Sequence, residues 1–181
     1  IFEGRFDTIL TNPPFGANLE PTDKVQESDV ALDSEVEKLY QSRYQAPYIE
    51  ARKRLWGAVG EPIGNLFELP KNGQGKIGKS KTEVLFIERC LDLLKPGGRL
   101  GIVLPEGILN NPALGYVRQF VEVRARLLAV VSLPQETFAA SGASVKCSLL
   151  FLQKFTVEQS AQYAALPPAA RLEVAERHRP A

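Results

Sequence analysis

The sequence predicts an α/β fold, a doubly wound sheet that is mostly parallel and has an antiparallel last strand. Two observations support this class. In the second half of the chain, short apolar runs alternate with segments of helical periodicity, and the runs are continuously apolar, as in strands covered on both faces. The last two runs are separated only by residues 135–146, which resemble a loop. Because a parallel connection usually passes through a helix, the last strand is expected to run antiparallel.

Each predicted element has a local signal. Strands are predicted where apolar and β-branched residues end at a turn former, and helices where apolar residues recur on one face. The first strand is expected to end at Asn12, since proline cannot continue a ladder, and the helix that begins at Thr82 is expected to end at Pro96-Gly97-Gly98. In chain order we predict a short buried strand at residues 5–12, a helix near 34–54, a helix at 82–95, a strand at 99–104, a helix from 112 to about 126, and buried strands at 127–133 and 147–152.

The organisation of the chain follows from changes in composition. Residues 1–156 are predicted to form one domain, and residues 157–181, which are Ala-rich and amphipathic, a helical tail. Residues 17–80 are interpreted as an insertion, because an irregular stretch of this length is too long for an ordinary loop. Its basic, Gly-rich part at residues 71–81 is expected to be mobile. The sequence has no Met and begins with Ile1, so we expect it to be an excerpt of a longer chain.

Composition excludes several classes of protein. The chain has 181 residues, 44% of them hydrophobic, which is enough for one domain with a core. No apolar run approaches the roughly 20 residues that span a bilayer and no signal peptide is recognisable, so a soluble, cytoplasmic protein is expected. Cys90 and Cys147 lie in apolar runs without metal-ligand spacing and are expected to be buried, reduced thiols. The single histidine, His178, lies in a charged tail, which sets aside catalytic triads and histidine metal sites.

One segment matches the phosphate-loop pattern. Gly73-Gln-Gly-Lys-Ile-Gly78-Lys79-Ser80 fits GxxxxGK[ST], and a predicted helix follows it. However, the preceding apolar run is short, and no predicted strand ends in the acidic residue that a nucleotide-bound Mg²⁺ requires. A nucleotide hydrolase is therefore an alternative interpretation, which a Gly- and Lys-rich segment can suggest by chance.

A second motif, Asn12-Pro13-Pro14-Phe15, directly follows the first predicted strand. Methylation of a planar amino group requires acceptors for both N–H groups, so that the nitrogen can become pyramidal. The Asn12 side-chain oxygen and the Pro13 carbonyl can supply them, since the two prolines fix the backbone. Phe15 offers a flat face for a base, and such stacking is worth about 1–3 kcal/mol. A simple strand-ending turn is the alternative, but doubly wound sheets bind ligands at this end of their strands.

Four blocks of the sequence, taken together, resemble the amino-group DNA methyltransferases, specifically the N6-adenine methylase subunits of type I restriction-modification systems. The first block contains the Asn-Pro-Pro-Phe motif, which corresponds to the catalytic motif of that family, and the other three follow in the order found there. The blocks are residues 6–16, 81–98, 101–107 and 131–138, and the resemblance covers residues 6–154 apart from most of 17–80.

The resemblance implies a Rossmann-like, S-adenosylmethionine-dependent methyltransferase fold and direct methyl transfer to a flipped-out adenine. The four motif residues would be catalytic, and Asn12 would also lie close to the methyl donor. Leu85 and Phe86 would help to form the donor pocket, with ordinary helix packing as the alternative. The family's main donor-binding motifs precede the catalytic motif and are not found here. The chain is therefore expected to be the C-terminal half of the catalytic domain, to bind the donor poorly and to be inactive by itself.

Charge within the predicted insertion points to DNA as a partner. The net charge is only +1, but residues 20–37 hold seven acids and one base, whereas residues 38–81 hold nine bases and three acids. A solvated helix face with a mobile loop is the alternative. By resemblance, a specificity subunit and a restriction subunit are further expected partners. The candidate phosphate contacts are Arg43, Arg52, Lys53, Arg54, Lys76 and Lys79.

Three other functions stay open at this point. They are the nucleotide hydrolase, a degenerate methylase-like module that only binds nucleic acid, and a methyltransferase of the same Asn-Pro-Pro class that acts on RNA or on a protein amide.

Overall fold

The computed structural model of the protein describes residues 4–141 and 145–166. The strands there are β1 (Phe6–Thr11), β2 (Asn18–Leu19), β3 (Ser80–Lys81), β4 (Leu94–Pro105), β5 (Ala125–Ser132) and β6 (Cys147–Lys154). The helices are α1 (Glu27–Val30), α2 (Ser34–Gly57), α3 (Thr82–Leu93), α4 (Glu106–Asn110), α5 (Gly115–Glu122) and α6 (Val157–Ala165). The helical tail predicted for 157–181 is thus present as α6, and its remainder, with His178, lies outside the described residues.

The chain divides into two compact units. The sheet unit consists of residues 4–17 and the described residues from 81 onward, and the 18–80 unit consists of the residues between them. None of the helices in the described ranges is both long enough and apolar enough to cross a membrane.

The sheet unit is built on four strands in the order β1-β4-β6-β5. β1 pairs with β4 in parallel, and β6 is antiparallel to both β4 and β5. Hence β1, β4 and β5 all point the same way, and their carboxyl ends lie at one edge of the sheet. This confirms the predicted α/β class with an antiparallel last strand.

One face of the sheet forms the core of this unit. Cross-strand partners lie on the same face, and the register pairs Leu100 with Leu152 and Ile102 with Leu150. These four side chains are at most 6% exposed. Full burial of one such side chain contributes about 1.5–3 kcal/mol. Apolar residues at helical spacing on α3 are buried with them, namely Val84, Ile87 and Leu91.

The predicted end of the helix at 82–95 was wrong. α3 ends at Leu93, and β4 begins at the next residue, so Pro96-Gly97-Gly98 lies inside a strand. The register explains this, because Phe6 pairs with Leu94 but Thr8 already pairs with Arg99, which leaves residues 95–98 as a bulge. Gly97 has a φ of +79°, which favours glycine.

The predicted burial of the strands at 5–12 and 127–133 was also wrong. β1 and β5 are the edge strands of the sheet. In β1, Phe6 is 46% and Leu10 is 77% exposed, and the large apolar side chains of β5 are 44–56% exposed. They are Leu127, Leu128, Val130 and Val131. The reason is that β6 inserts between β4 and β5, which no local pattern announces. The preceding helix is shorter than predicted, since residues 112–114 form a 3-10 turn and β5 already begins at Ala125.

The 18–80 unit is organised by α2. Asp33 caps its N-terminus by accepting a hydrogen bond from Glu35 N at 2.8 Å, and the helix continues to Gly57, beyond the predicted 34–54. Gln45 interrupts the helix with φ 49° and ψ −131°, two residues before Pro47. A proline inside a helix removes a hydrogen bond and clashes with the preceding turn, so the kink has a local cause.

Candidate active site

The Asn-Pro-Pro-Phe segment forms the turn that leaves the carboxyl end of β1. Asn12 and Pro14 are exposed, Pro13 is buried and Phe15 is half-buried. Within the described part of the chain, no hydrogen bond involves the Asn12 side chain or the Pro13 carbonyl. The two acceptors that methylation of an amino group needs are therefore free for a ligand.

Thr82 at the start of α3 holds this turn in place. Its hydroxyl Oγ1 lies 3.2 Å from the Pro14 carbonyl and 3.3 Å from the Ala17 carbonyl, and its one hydrogen can serve either acceptor. Its backbone N–H also donates to the Ala17 carbonyl at 3.1 Å. The protein thus uses the carbonyl of Pro14 and leaves that of Pro13 unused.

A second aromatic residue meets Phe15 at this edge of the sheet. The rings of Phe15 and Phe138 lie 6.4 Å apart at 83°, the edge-to-face arrangement that aromatic pairs favour. Phe138 lies in the 3-10 turn Gln135–Ser141 that follows β5 and is half-buried. Phe138 lies in the block 131–138 but was not predicted as a site residue. The sequence does contain one indication, because an aromatic residue shortly after β5 lies at the same edge of the sheet as the end of β1.

The two residues predicted for the donor pocket differ in exposure. Leu85 is 7% exposed and belongs to the packed part of α3, whereas Phe86 is 38% exposed. Phe86 is therefore available to a ligand, and Leu85 is not. Their roles toward a methyl donor stay predictions.

The cysteines do not contribute nucleophilic chemistry. Both are buried and free. Burial raises the pKa of the Cys90 thiol to about 11. Burial, and secondly the Glu106 carboxylate, raise the pKa of Cys147. Both thiols are therefore protonated at neutral pH.

The basic residues of α2 divide into two groups. The Arg52 guanidinium donates from Nε to the Glu37 carboxylate at 3.0 Å and from Nη1 to the Val30 carbonyl at 2.5 Å, and it lies 5.3 Å from the centre of the Trp56 ring. Its side chain is only 11% exposed. Arg52 therefore stabilises the 18–80 unit itself. Of the predicted phosphate contacts on α2, Arg43, Lys53 and Arg54 are exposed.

The phosphate-loop interpretation is not favoured by the geometry of residues 72–80. Asn72 Oδ1 accepts hydrogen bonds from Gln74 N at 3.0 Å and Lys76 N at 2.9 Å, so backbone N–H groups that would cradle phosphate are already used. Lys79 pairs with Glu20 at 2.6 Å, while Lys76 is exposed. The segment also precedes its helix instead of opening it, since α3 begins three residues after Lys79.

A separate cavity of about 750 Å³ lies in the sheet unit. Residues of α5, β5 and β6 form most of its wall, among them the apolar Val117, Val121, Leu127 and Leu150. None of residues 12–15, nor Phe138, lines it. It is therefore distinct from the candidate active site.

Fold and site together define a class, an α/β domain of the amino-group methyltransferase type with its Asn-Pro-Pro-Phe turn at the carboxyl end of a strand. A family model described as N-6 DNA Methylase matches residues 68–167, more than half of the chain. The chain belongs to the N-6 DNA methylase family. The matched range begins after the Asn-Pro-Pro-Phe turn.

The chain is also similar to several named proteins. The methylase subunit of the type I restriction enzyme EcoKI from Escherichia coli K12 is 32% identical over 79 residues, which cover 43% of this chain and 15% of the relative. The StySPI methylase subunit from Salmonella potsdam is 28% identical over 114 residues, 62% of this chain and 20% of the relative. A solved chain of a type I R-M system covers 83% of this chain and 22% of its own length, with 27% identity and a TM-score of 0.47. The chain spans a fifth or less of the curated relatives it matches.

Proposed function

We propose that the protein carrying this chain transfers a methyl group from S-adenosylmethionine to the N6 amino group of an adenine in DNA, as part of a restriction-modification system. The proposal depends on two hydrogen-bond acceptors without a partner, the Asn12 side-chain oxygen and the Pro13 carbonyl. They lie beside the half-buried rings of Phe15 and Phe138, which contact each other. Membership of the N-6 DNA methylase family supports it.

The adenine amino nitrogen is a weak nucleophile because its lone pair is delocalised into the ring. One N–H would donate to Asn12 Oδ1 and the other to the Pro13 carbonyl, which orients the lone pair out of the ring plane. In the transfer, the lone pair forms the new N–C bond, the methyl–sulfur bond breaks, and the nitrogen then loses one proton to water. No side chain has to remove that proton beforehand, so the site needs fixed dipoles instead of a histidine.

The aromatic pair would hold the base outside the duplex. An amino group cannot be approached in line within the base stack, so the adenine must be flipped out. Phe15 would stack on the base, with the edge of Phe138 fixing the tilt of the Phe15 ring. Both rings are half-buried, which leaves surface for a base.

S-adenosylmethionine supplies an electrophilic methyl group when bound. Among the described residues, the exposed Asn12 amide could form hydrogen bonds with the polar groups of this donor. The exposed Phe86 ring could stack on the flat adenine ring of the donor. The predicted wall residue Leu85 would act only through packing.

The exposed basic residues of α2 would contact DNA phosphates, as would Lys76. Arg43, Lys53 and Arg54 are exposed, and Arg43 also lies 5.7 Å from the centre of the Tyr44 ring. Replacing one phosphate-binding side chain by alanine should reduce the slope of log affinity against log salt by about 1. Because the named relatives are methylase subunits, we propose specificity and restriction subunits as partners and a cytoplasmic location.

The decisive experiment measures transfer of labelled methyl groups to DNA lacking N6-methyladenine, with digestion to nucleosides to identify the product. We expect Asn12→Ala to reduce transfer about 10²-fold or more, as does the loss of one preorganised polar group in other enzymes. Asn110→Ala, at an exposed Asn of the same unit, is the matched control and should retain the wild-type rate. Label in RNA or glutamine, or an Asn12→Ala variant with full activity, would contradict the proposal. DNA binding without transfer would instead indicate a binding module.

A further inference from the structure

A single carboxylate joins the ends of three strands at the edge of the sheet that carries the candidate site. Glu106 Oε1 accepts from Lys146 Nζ at 3.1 Å and from Ser132 Oγ at 3.4 Å. The backbone N–H of Glu106 also donates to the Lys146 carbonyl at 2.9 Å. Glu106 follows β4, Ser132 ends β5, and Lys146 immediately precedes β6. The side chain of Glu106 therefore reaches across β6 to β5.

The position of Phe138 depends on these strand ends. Six residues after Ser132, Phe138 lies in a turn that is closed by Thr137, whose N–H and hydroxyl both donate to the Pro134 carbonyl at 3.2 Å and 2.8 Å. Leu133 N donates to the Cys147 carbonyl at 3.0 Å, so the start of the turn is fixed to β6. Backbone ladders pair β6 with both β4 and β5, and the carboxylate of Glu106 adds a side-chain link at the ends of the three strands.

We propose that Glu106 is a positioning residue that sets the position of Phe138 against Phe15. Through Phe138, it determines where the flipped base stacks. The inference rests on the proposed function for its effect on methyl transfer, but the positioning itself is a property of the fold. Glu106 and Lys146 are both partly exposed, at 32% and 42%, so their ion pair contributes little to global stability. Its effect is expected on the position of the Phe138 ring against Phe15. A displacement of about 1 Å in a group that orients the substrate can reduce the reaction rate up to about a hundredfold.

The test uses the complete protein with 4-fluorophenylalanine at position 138, so that its ¹⁹F resonance reports the ring's surroundings. Glu106→Ala should shift this resonance and lower kcat/KM for DNA about tenfold to a hundredfold, with the affinity for S-adenosylmethionine unchanged. Glu106→Gln keeps an acceptor oxygen for both partners and should restore most of the wild-type resonance and rate. Ser132→Ala removes one donor only and should shift the resonance less, in the same direction.

The matched control is Asp7→Ala, which removes the exposed ion pair between the Asp7 carboxylate and Lys95 Nζ, 2.9 Å apart, at the opposite edge of the sheet. It should leave both readouts at wild-type values. A Glu106→Ala variant with an unshifted resonance, or a Glu106→Gln variant no better than Glu106→Ala, overturns the positioning role. If the wild type transfers no methyl to DNA while Glu106→Ala shifts the resonance, the proposed function fails and the positioning of Phe138 stands.

Discussion

Replacing Thr82 by Val tests how strongly the Asn-Pro-Pro-Phe turn depends on α3. Valine has the shape of threonine but no hydroxyl, so nothing at this position can donate from the side chain to the carbonyls of Pro14 and Ala17, which lie 3.2 and 3.3 Å from the threonine oxygen. The backbone N–H of residue 82 still donates to the Ala17 carbonyl. The change therefore removes the restraint on Pro14 and keeps the one on Ala17.

The magnitude follows from the geometry. The one hydroxyl hydrogen serves one acceptor at a time, and the two carbonyls are nearer than the third acceptor, Glu83 Oε2 at 3.5 Å, so the variant forgoes one neutral hydrogen bond, about 0.5–1.5 kcal/mol. For a chain of this size that lowers the melting temperature by about 1–6 °C. If the same energy holds the Pro13 carbonyl in its reactive orientation, kcat falls by up to about tenfold. Thr82→Ser retains the hydroxyl and should recover both quantities.

The assay compares thermal unfolding with single-turnover methyl transfer for both variants. A Thr82→Val variant that melts earlier but transfers methyl at the wild-type rate would show that Thr82 stabilises the turn without orienting it. Equal melting temperatures of the Val and Ser variants would refute the hydrogen-bond account.

Three further predictions concern stability. Gln45→Gly should raise the free energy of unfolding by about 1 kcal/mol, because glycine relieves the strain of the φ of 49° at this position. Gln41→Gly, in a regular part of α2, should lower the free energy of unfolding by about as much, and denaturant titration measures both changes. Gly98→Ala should destabilise, because a Cβ would lie 2.9 Å from the Lys95 carbonyl oxygen, while Gly107→Ala, with open space around it, should not, as melting curves can show. Burial raises the pKa of Cys90 from 9.0 to about 11, so the thiol of the folded state stays protonated at pH values where that of the unfolded state has lost its proton. The free energy of unfolding should therefore fall as the pH rises from about 9 to about 11. Cys90→Ala should flatten that pH dependence.

The sequence predicted those elements whose signals are local. Continuous apolar runs located β1 and β6 to within two residues, and helical periodicity located α3. The errors arose where tertiary pairing overrides a local signal. Pro96-Gly97-Gly98 is a helix-ending pattern, but the pairing of Leu94 with Phe6 starts the strand before it. The exposure of β5 depends on the insertion of β6, which follows it in the chain.

The candidate site shows the same division. Asn12 and Phe15 could be predicted as site residues because the motif that suggests them lies in four consecutive residues. Phe138 was missed, since its role depends on its packing against a residue 123 positions earlier. Arg52 was grouped with the exposed basic residues because charge patterns do not reveal Glu37, which pairs with it from 15 positions away.

The distance between the strands explains why the two aromatic rings need separate supports. β1 and β5 are the outer strands of the sheet, so their ends are three strand spacings apart, about 14 Å. The ring centres of Phe15 and Phe138 are nevertheless only 6.4 Å apart, so the two turns must approach one another above the ends of β4 and β6. Thr82 restrains the first turn, and Glu106, at the end of β4, restrains the second. Although the two restraints share no residue, they act on two rings in contact, so we expect a Thr82→Val and Glu106→Ala double variant to reduce methyl transfer by less than the product of the two single reductions. A reduction equal to the full product would show that each support acts on its own ring alone.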